Sequence, residues 1–142
     1  VARSPDGAWG QVSTGEGAGW VALRFLAPSA APPWDAPGRP LSCAGTEPFW
    51  SARLNAPPGT LLVSTPDIPP QAAAITGAAP VIGRFGFLGL TFNSSAGAGF
   101  AVVQAGLCSD GMSDRPWGLS VTLFPPGPPG TAGWAGCCAL VP

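Results

Sequence analysis

The chain has 142 residues, a net charge of −1, and no His, Tyr or Lys. These absences exclude His-based triads, His-ligated metal centres, lysine Schiff bases and P-loop lysine chemistry. All six cations are Arg, and the near-neutral balance argues against a nucleic-acid footprint. With 21 Gly and 19 Pro, long helices are disfavoured, while 46% apolar residues, 6 Trp and 7 Phe suffice for a small core.

In chain order, residues 1–27 read as short strands. Asp6-Gly7 signals a turn, and strands over 9–12 and 20–26 flank a polar, Gly-rich turn over 13–19. Residues 28–40 contain Pro at 28, 32, 33, 37 and 40 and read as a semi-extended linker, because Pro fixes φ and donates nothing to a ladder. Trp34 within it is expected to pack onto a neighbouring domain. From Leu41 the pattern is all-β, with strands expected over 49–55, 59–64, 83–92, 100–107, 117–124 and 134–141. In Phe85-Gly-Phe-Leu-Gly-Leu-Thr-Phe92, large residues alternate with glycines, as suits a curved strand in a small closed sheet. Residues 66–79 are rich in Pro and Ala, and Gln71 to Thr76 is expected to form a single helical turn. Pro125-Pro-Gly-Pro-Pro-Gly130 reads as an extended turn before the last strand. The chain begins at Val1, which reads as the mark of a processed or trimmed product. It has no run of about 18 apolar residues, so no bilayer-spanning segment is expected.

The cysteines are Cys43, Cys108, Cys137 and Cys138. There is no CxxC pair and no His to complete a zinc site, so no metal is expected. Two disulfides are the natural reading, and they imply an oxidising compartment such as a periplasm. A vicinal Cys137–Cys138 bridge would be strained, which leaves Cys43 and Cys108 each bonded to one of the neighbouring pair. On a strand, Cys137 and Cys138 point to opposite faces, so one bridge would be inside and the other outside.

Two resemblances follow from particular residues. Trp9, Gly19, Trp20, Val21, Phe25 and Leu26, within residues 1–27, resemble the second half of a bacterial SH3-like module. Over about 41–141, Gly45-Thr-Glu-Pro-Phe-Trp50, Cys108-Ser-Asp-Gly-Met-Ser-Asp-Arg115 and Gly136-Cys-Cys138 occur in order. Together they are similar to a family of uncharacterised bacterial envelope proteins, often described as membrane proteins or lipoproteins. The resemblance implies a secreted or periplasmic β-rich domain without an established activity. The family tends to carry Tyr-Pro after the Ser-Asp-Arg stretch, where this chain has Pro116-Trp117.

The motifs suggest chemistry of their own. Pro48 biases Glu47 to an extended backbone, and Phe49 and Trp50 then project to opposite faces. A carboxylate among aromatics is costly unless paired. Glu47 is therefore expected to pair with Arg53 or Arg115, as a strut between the strand and the 108–115 loop rather than as the lining of a ligand pocket. Asp110-Gly111 supplies an Asx side chain and a residue free to take positive φ, and Asp114 is expected to cap amides or pair with Arg115. Oxygens of Asp110, Ser113 and Asp114 are too few for calcium. Catalysis is not expected: no Ser has a His or Lys base, bridged cysteines are not nucleophiles, and no carboxylate pair has a supporting motif.

The resulting reading is an all-β protein. A partial SH3-like unit (1–27) is joined by the linker (28–40) to a disulfide-stapled antiparallel barrel of six to eight strands (41–142). The expected role is non-catalytic periplasmic binding to a protein partner in the cell envelope, with contact to the cell wall as a further option. Trp9, Trp20 and Trp34 are the expected interaction surface, and no cofactor, metal or nucleic acid is involved. Two alternatives stand beside it. One is an accessory subunit of a larger membrane complex, suggested by the low charge and exposed Trp and Pro. The other is a lipocalin-like carrier of a small apolar ligand, lined by Phe85, Phe87, Phe92 and Phe100.

Overall fold

The structure, a computed structural model, describes residues 2–15, 17–36, 38–54 and 59–141. Glu16 of the expected 13–19 turn, Pro37 of the linker and Asn55 at the end of an expected strand lie outside the described residues.

The chain opens with an antiparallel hairpin of β1 (Trp9–Thr14) and β2 (Gly17–Ala22). Asp6 prepares it: its Oδ1 accepts the amide N–H of Ala8 at 3.0 Å, closing an Asx turn before Trp9. Residues 2–4 run beside β1, through the Arg3–Gly10 bridge and the Gln11 amide bonded to Ala2 O at 2.8 Å. The strand expected over 20–26 is shorter than its pattern suggested. It stops at Ala22 and passes into a 3-10 turn, Leu23–Phe25, closed by Leu26 N–H on Leu23 O at 3.0 Å. Among the described residues no further strand pairs with β2 there, and the backbone bonds to itself instead.

Eight strands form a closed antiparallel barrel: β3 (Leu41–Thr46), β4 (Phe49–Leu54), β5 (Thr60–Thr65), β6 (Ile68–Pro80), β7 (Phe87–Ser94), β8 (Gly97–Cys108), β9 (Trp117–Phe124) and β10 (Trp134–Leu140). Each strand pairs with its sequence neighbours, and β10 closes the ring on β3, where Cys138 faces Cys43. Closure removes the exposed edges that a flat sheet would present. Register breaks between β5 and β6, β6 and β7, and β8 and β9 add the local bends that a tight ring needs.

Period-2 alternation sets the inside. Leu41, Cys43, Trp50, Ala52, Leu54, Leu61, Val63, Leu90, Phe92, Ala101, Val103, Val121 and Leu123 are among the buried core residues. The outward positions are short and hydroxylated, as in the Ser51–Ser64 and Thr76–Thr91 side-chain bonds of 2.9 and 3.0 Å between neighbouring strands. An eight-stranded barrel is just wide enough for side chains to fill it. At its centre, between Trp50, Leu61, Phe92 and Val121, only about 10 Å³ remains open, about the space of one water. Among the four Phe expected to line a ligand cavity, Phe92 alone fills the core. Phe87 is half-buried, Phe85 projects into solvent, and Phe100 stacks on Phe124 outside the wall with ring centroids 4.5 Å apart.

The segment 71–76 is a strand, not a helical turn. In β6, Leu61, Leu62 and Val63 of β5 face Ala73, Ala72 and Gln71 on one side, while Ile75 faces Phe92 of β7 on the other. Partners on both edges outweigh the weak strand preference of Ala. The expected 83–92 strand starts later, at Phe87, because 81–84 turns through an Arg84 N–H bond to Val81 O at 3.2 Å. Trp34 packs against the barrel core, as expected of a Trp in that linker, so its half-buried ring does not stand free with Trp9 and Trp20 as an interaction surface. Beside it, Asp35, Ala36, Gly38 and Arg39 border a recess of about 280 Å³ that reaches Leu41, Leu54 and Leu88.

Candidate functional site

Both disulfides form. Cys43–Cys138 joins β3 to β10 within the core and staples the seam where the barrel closes. Cys108–Cys137 lies on the other face of β10. Cys108 ends β8, so this bridge spans β9 to reach β10. Adjacent cysteines on one strand thus serve its two faces, as the alternation of side chains requires. The outer bridge draws the 108–116 segment back over the outer wall, towards the β3–β4 hairpin.

There the two sequence motifs meet. Thr46 Oγ1 donates to the Asp110 carbonyl at 3.0 Å, across 64 residues of chain. Between them runs an open groove of about 770 Å³. Glu47 and Phe49 stand on one side, Ser109 to Met112 on the other, and Ser120, Thr122 and Ala135 of β9 and β10 line the floor. The hairpin turn contains a cis Glu47–Pro48 peptide and has Thr46 opposite Phe49. Alternation along β4 then turns Trp50 inward, where it is buried, and Phe49 outward, where it is 54% exposed.

Trp50 is held by space as well as by bonding. Its Nε1 donates to Ala135 O at 3.3 Å, and its ring lies against the backbone of Gly45 and Gly136. A Cβ on Gly136 would stand 2.7 Å from the indole Cζ2. Trp134 packs nearby, with ring centroids 5.9 Å apart. A signal for this packing exists in the sequence: with a two-residue turn at Glu47-Pro48, Gly45 falls opposite Trp50.

The 108–116 loop is built around Asp110. Its Oδ1 accepts the amides of Met112 and Ser113 at 3.0 and 2.8 Å. Its Oδ2 accepts the Ser113 hydroxyl at 2.8 Å and the Trp117 indole N–H at 3.1 Å. These donors, the Ser113 and Met112 amides foremost, hold the carboxyl well below the usual carboxylate range. With both oxygens committed, Asp110 organises the loop and is not a free base. Gly111 follows at φ 73°, the conformation the turn demands.

The expected strut does not form. Glu47 is exposed at the hairpin tip and pairs with neither Arg53 nor Arg115. The turn carries its side chain beyond the wall, where water solvates it. Arg53 is exposed on the outward face of β4. Arg115 instead places its guanidinium 3.9 Å from the centre of the Trp117 ring, a cation–π contact. Asp114 is exposed and makes neither the expected cap nor an ion pair. The strut between hairpin and loop is therefore neutral, Thr46 to Asp110 O, one residue before the carboxylate that the sequence pointed to.

The remaining expected surface lies apart from the groove. Trp9 and Trp20 share one face of the β1–β2 hairpin, with Trp20 opposite Gln11 and Trp9 two residues before Gln11 on β1, and are 43% and 52% exposed. Ser13 of the same hairpin donates its hydroxyl to Pro116 O, which links the hairpin to the barrel next to the 108–116 loop. Among the described residues no group of His, Cys, Asp and Glu is placed to hold a metal ion. No helix there is long and apolar enough to cross a membrane.

No family model matches the chain, and comparison with curated proteins and with solved structures finds no match to either.

Proposed function

We propose that this is a non-catalytic binding module of the cell envelope, working outside the reducing cytosol, that takes a segment of a protein partner into the groove between the β3–β4 hairpin and the 108–116 loop. The observation that carries the reading is the bracing of that groove. A disulfide, a hydrogen bond across 64 residues and an Asp110-centred loop all hold open a surface that the barrel itself does not need. Preorganisation of this kind lowers the ordering cost of binding. Phe49 and Met112 offer exposed apolar contacts on opposite sides of a hydroxyl-lined floor, the mixed character of a protein-binding surface. Two disulfides fit an oxidising compartment. The similarity of Gly45 to Trp50, Cys108 to Arg115 and Gly136 to Cys138 to an envelope family points the same way.

The test is capture from detergent-solubilised envelope membranes, with the wild-type chain and the Phe49→Ser/Met112→Ser variant as baits. A protein retained by the wild type and lost with the variant supports the reading. Equal capture by both, or sedimentation with peptidoglycan in place of any protein, overturns it.

A further inference from the structure

We infer a second, separate surface that docks on a lipid bilayer: the β6–β7 loop, residues 81–86, with Leu107 beside it. The loop is short and convex. Pro80 pairs with Leu88 at its base, and the Arg84 N–H bond to Val81 O turns it. Gly83 and Gly86, at φ 82° and 74°, take the positive-φ turn conformation on either side of Arg84 and Phe85. Ile82 is 99% exposed, Phe85 is fully exposed, and Leu107 is 73% exposed. The Ala105 amide bonds to Gly86 O at 2.8 Å, which brings Leu107 to the same rim of the barrel as Phe85. Large apolar side chains grouped this way are a site for an apolar phase, not a scatter of single surface residues.

Charge identifies that phase. From Ile68 to Ser109 the sequence has no Asp or Glu, and Arg84 is its one charged residue. Arg84 sits between Ile82 and Phe85, with its guanidinium 5.8 Å from the centre of the Phe87 ring. A cation among inserting apolar side chains complements an anionic headgroup layer. An Arg in such a position can lay its stem along apolar surface and extend its head to phosphates. A convex tip suits shallow insertion, at a depth where water still serves the remaining backbone groups. The groove of the proposed function is built from other residues, so the two readings stand or fall separately.

The experiment is co-sedimentation of the 142-residue chain with unilamellar vesicles, one set of phosphatidylcholine alone and one of equal parts phosphatidylcholine and phosphatidylglycerol. The wild type is expected to pellet with the anionic vesicles and to be released by salt. Ile82→Ser/Phe85→Ser should weaken binding by about tenfold or more, and Arg84→Gln should abolish the preference for the anionic set. Phe85→Trp should retain binding. Near-UV circular dichroism of each variant reports on the fold independently. Failure of the folded wild type to pellet overturns the proposal, as does equal binding by the double serine variant. Sedimentation velocity showing a dimer that the double variant loses would assign the patch to a second copy of the chain, and would overturn it too.

Discussion

The indole of Trp50 occupies space that a side chain on Gly136 would need, 86 residues away in the direction of its bond to Ala135 O. Two glycines on adjacent strands, Gly45 and Gly136, thus form the bed of one aromatic ring, and the same ring anchors the hairpin that carries Phe49 to the groove. Gly45→Ala and Gly136→Ala should each destabilise the barrel by about 1–3 kcal/mol, the usual cost of overpacking a closed site. The midpoint of urea unfolding, followed by Trp fluorescence, measures it. An unchanged midpoint would show that the ring and the neighbouring backbone of Ala44 and Ala135 shift to make room.

The two disulfides should behave differently. Cys43 and Cys138 are buried in the core, whereas Cys108 is only half-buried on the outer wall. A thiolate reductant should therefore open Cys108–Cys137 first, on grounds of access. Mass spectrometry after timed reduction and alkylation would give the order. The Cys108→Ser/Cys137→Ser variant should keep the barrel and lose about 2–4 kcal/mol, with the groove loosened. Removing the seam bridge should cost at least as much, because it also leaves small polar side chains inside an apolar core.

The 108–116 loop should resist acid over most of the acidic range. The folded value of Asp110 lies below its ordinary 3.8. Its carboxylate bonds therefore stabilise the loop in full above that value, and the contribution is lost as pH falls below it through the folded value. The indole N–H resonance of Trp117, bonded to Asp110 Oδ2, should stay constant from neutral pH to about pH 4 and shift only below. A midpoint at or above 3.8 would refute the assignment. Asp110→Ala should release the loop at every pH.

Phe92 is 1% exposed and lies at the centre of the core. Phe92→Ala should cost about 3–5 kcal/mol, since the ring of strands cannot collapse onto the void. Phe100→Ala, which removes one of a stacked pair outside the wall, should cost much less. Guanidinium unfolding of both variants gives the comparison, and equal losses would contradict the assignment of Phe92 to the interior.

Much of the architecture was legible from local pattern. The strands over 117–124 and 134–141 announced themselves by alternation, and Cys137-Cys138 on a strand implied one bridge per face. Other parts were not legible. Leu41-Ser-Cys-Ala-Gly-Thr46, the strand at the seam, has few residues that favour strands, and its local pattern does not mark it as one. Gln71-Ala-Ala-Ala-Ile-Thr76 has local preferences that favour a helical turn, and only its neighbours β5 and β7 make it a strand. At the site, the Asx signal of Asp110-Gly111 is local and agrees with the bonds Asp110 makes within its loop, while the position of Glu47 depends on the hairpin turn, which carries it past the aromatics.

What the amino-acid order determined alone is the chemistry. It set a chain without His, Lys or Tyr, with paired cysteines, outward hydroxyls, inward hydrocarbon and turns marked by Gly and Pro. These follow from side-chain type and short-range spacing. The tertiary structure decided which distant groups meet: Cys43 with Cys138 at the seam, Thr46 with Asp110 across the groove, Trp50 with Gly136. Those contacts depend on the register and closure of eight strands together, and register is a property of the whole ring, which no single segment carries.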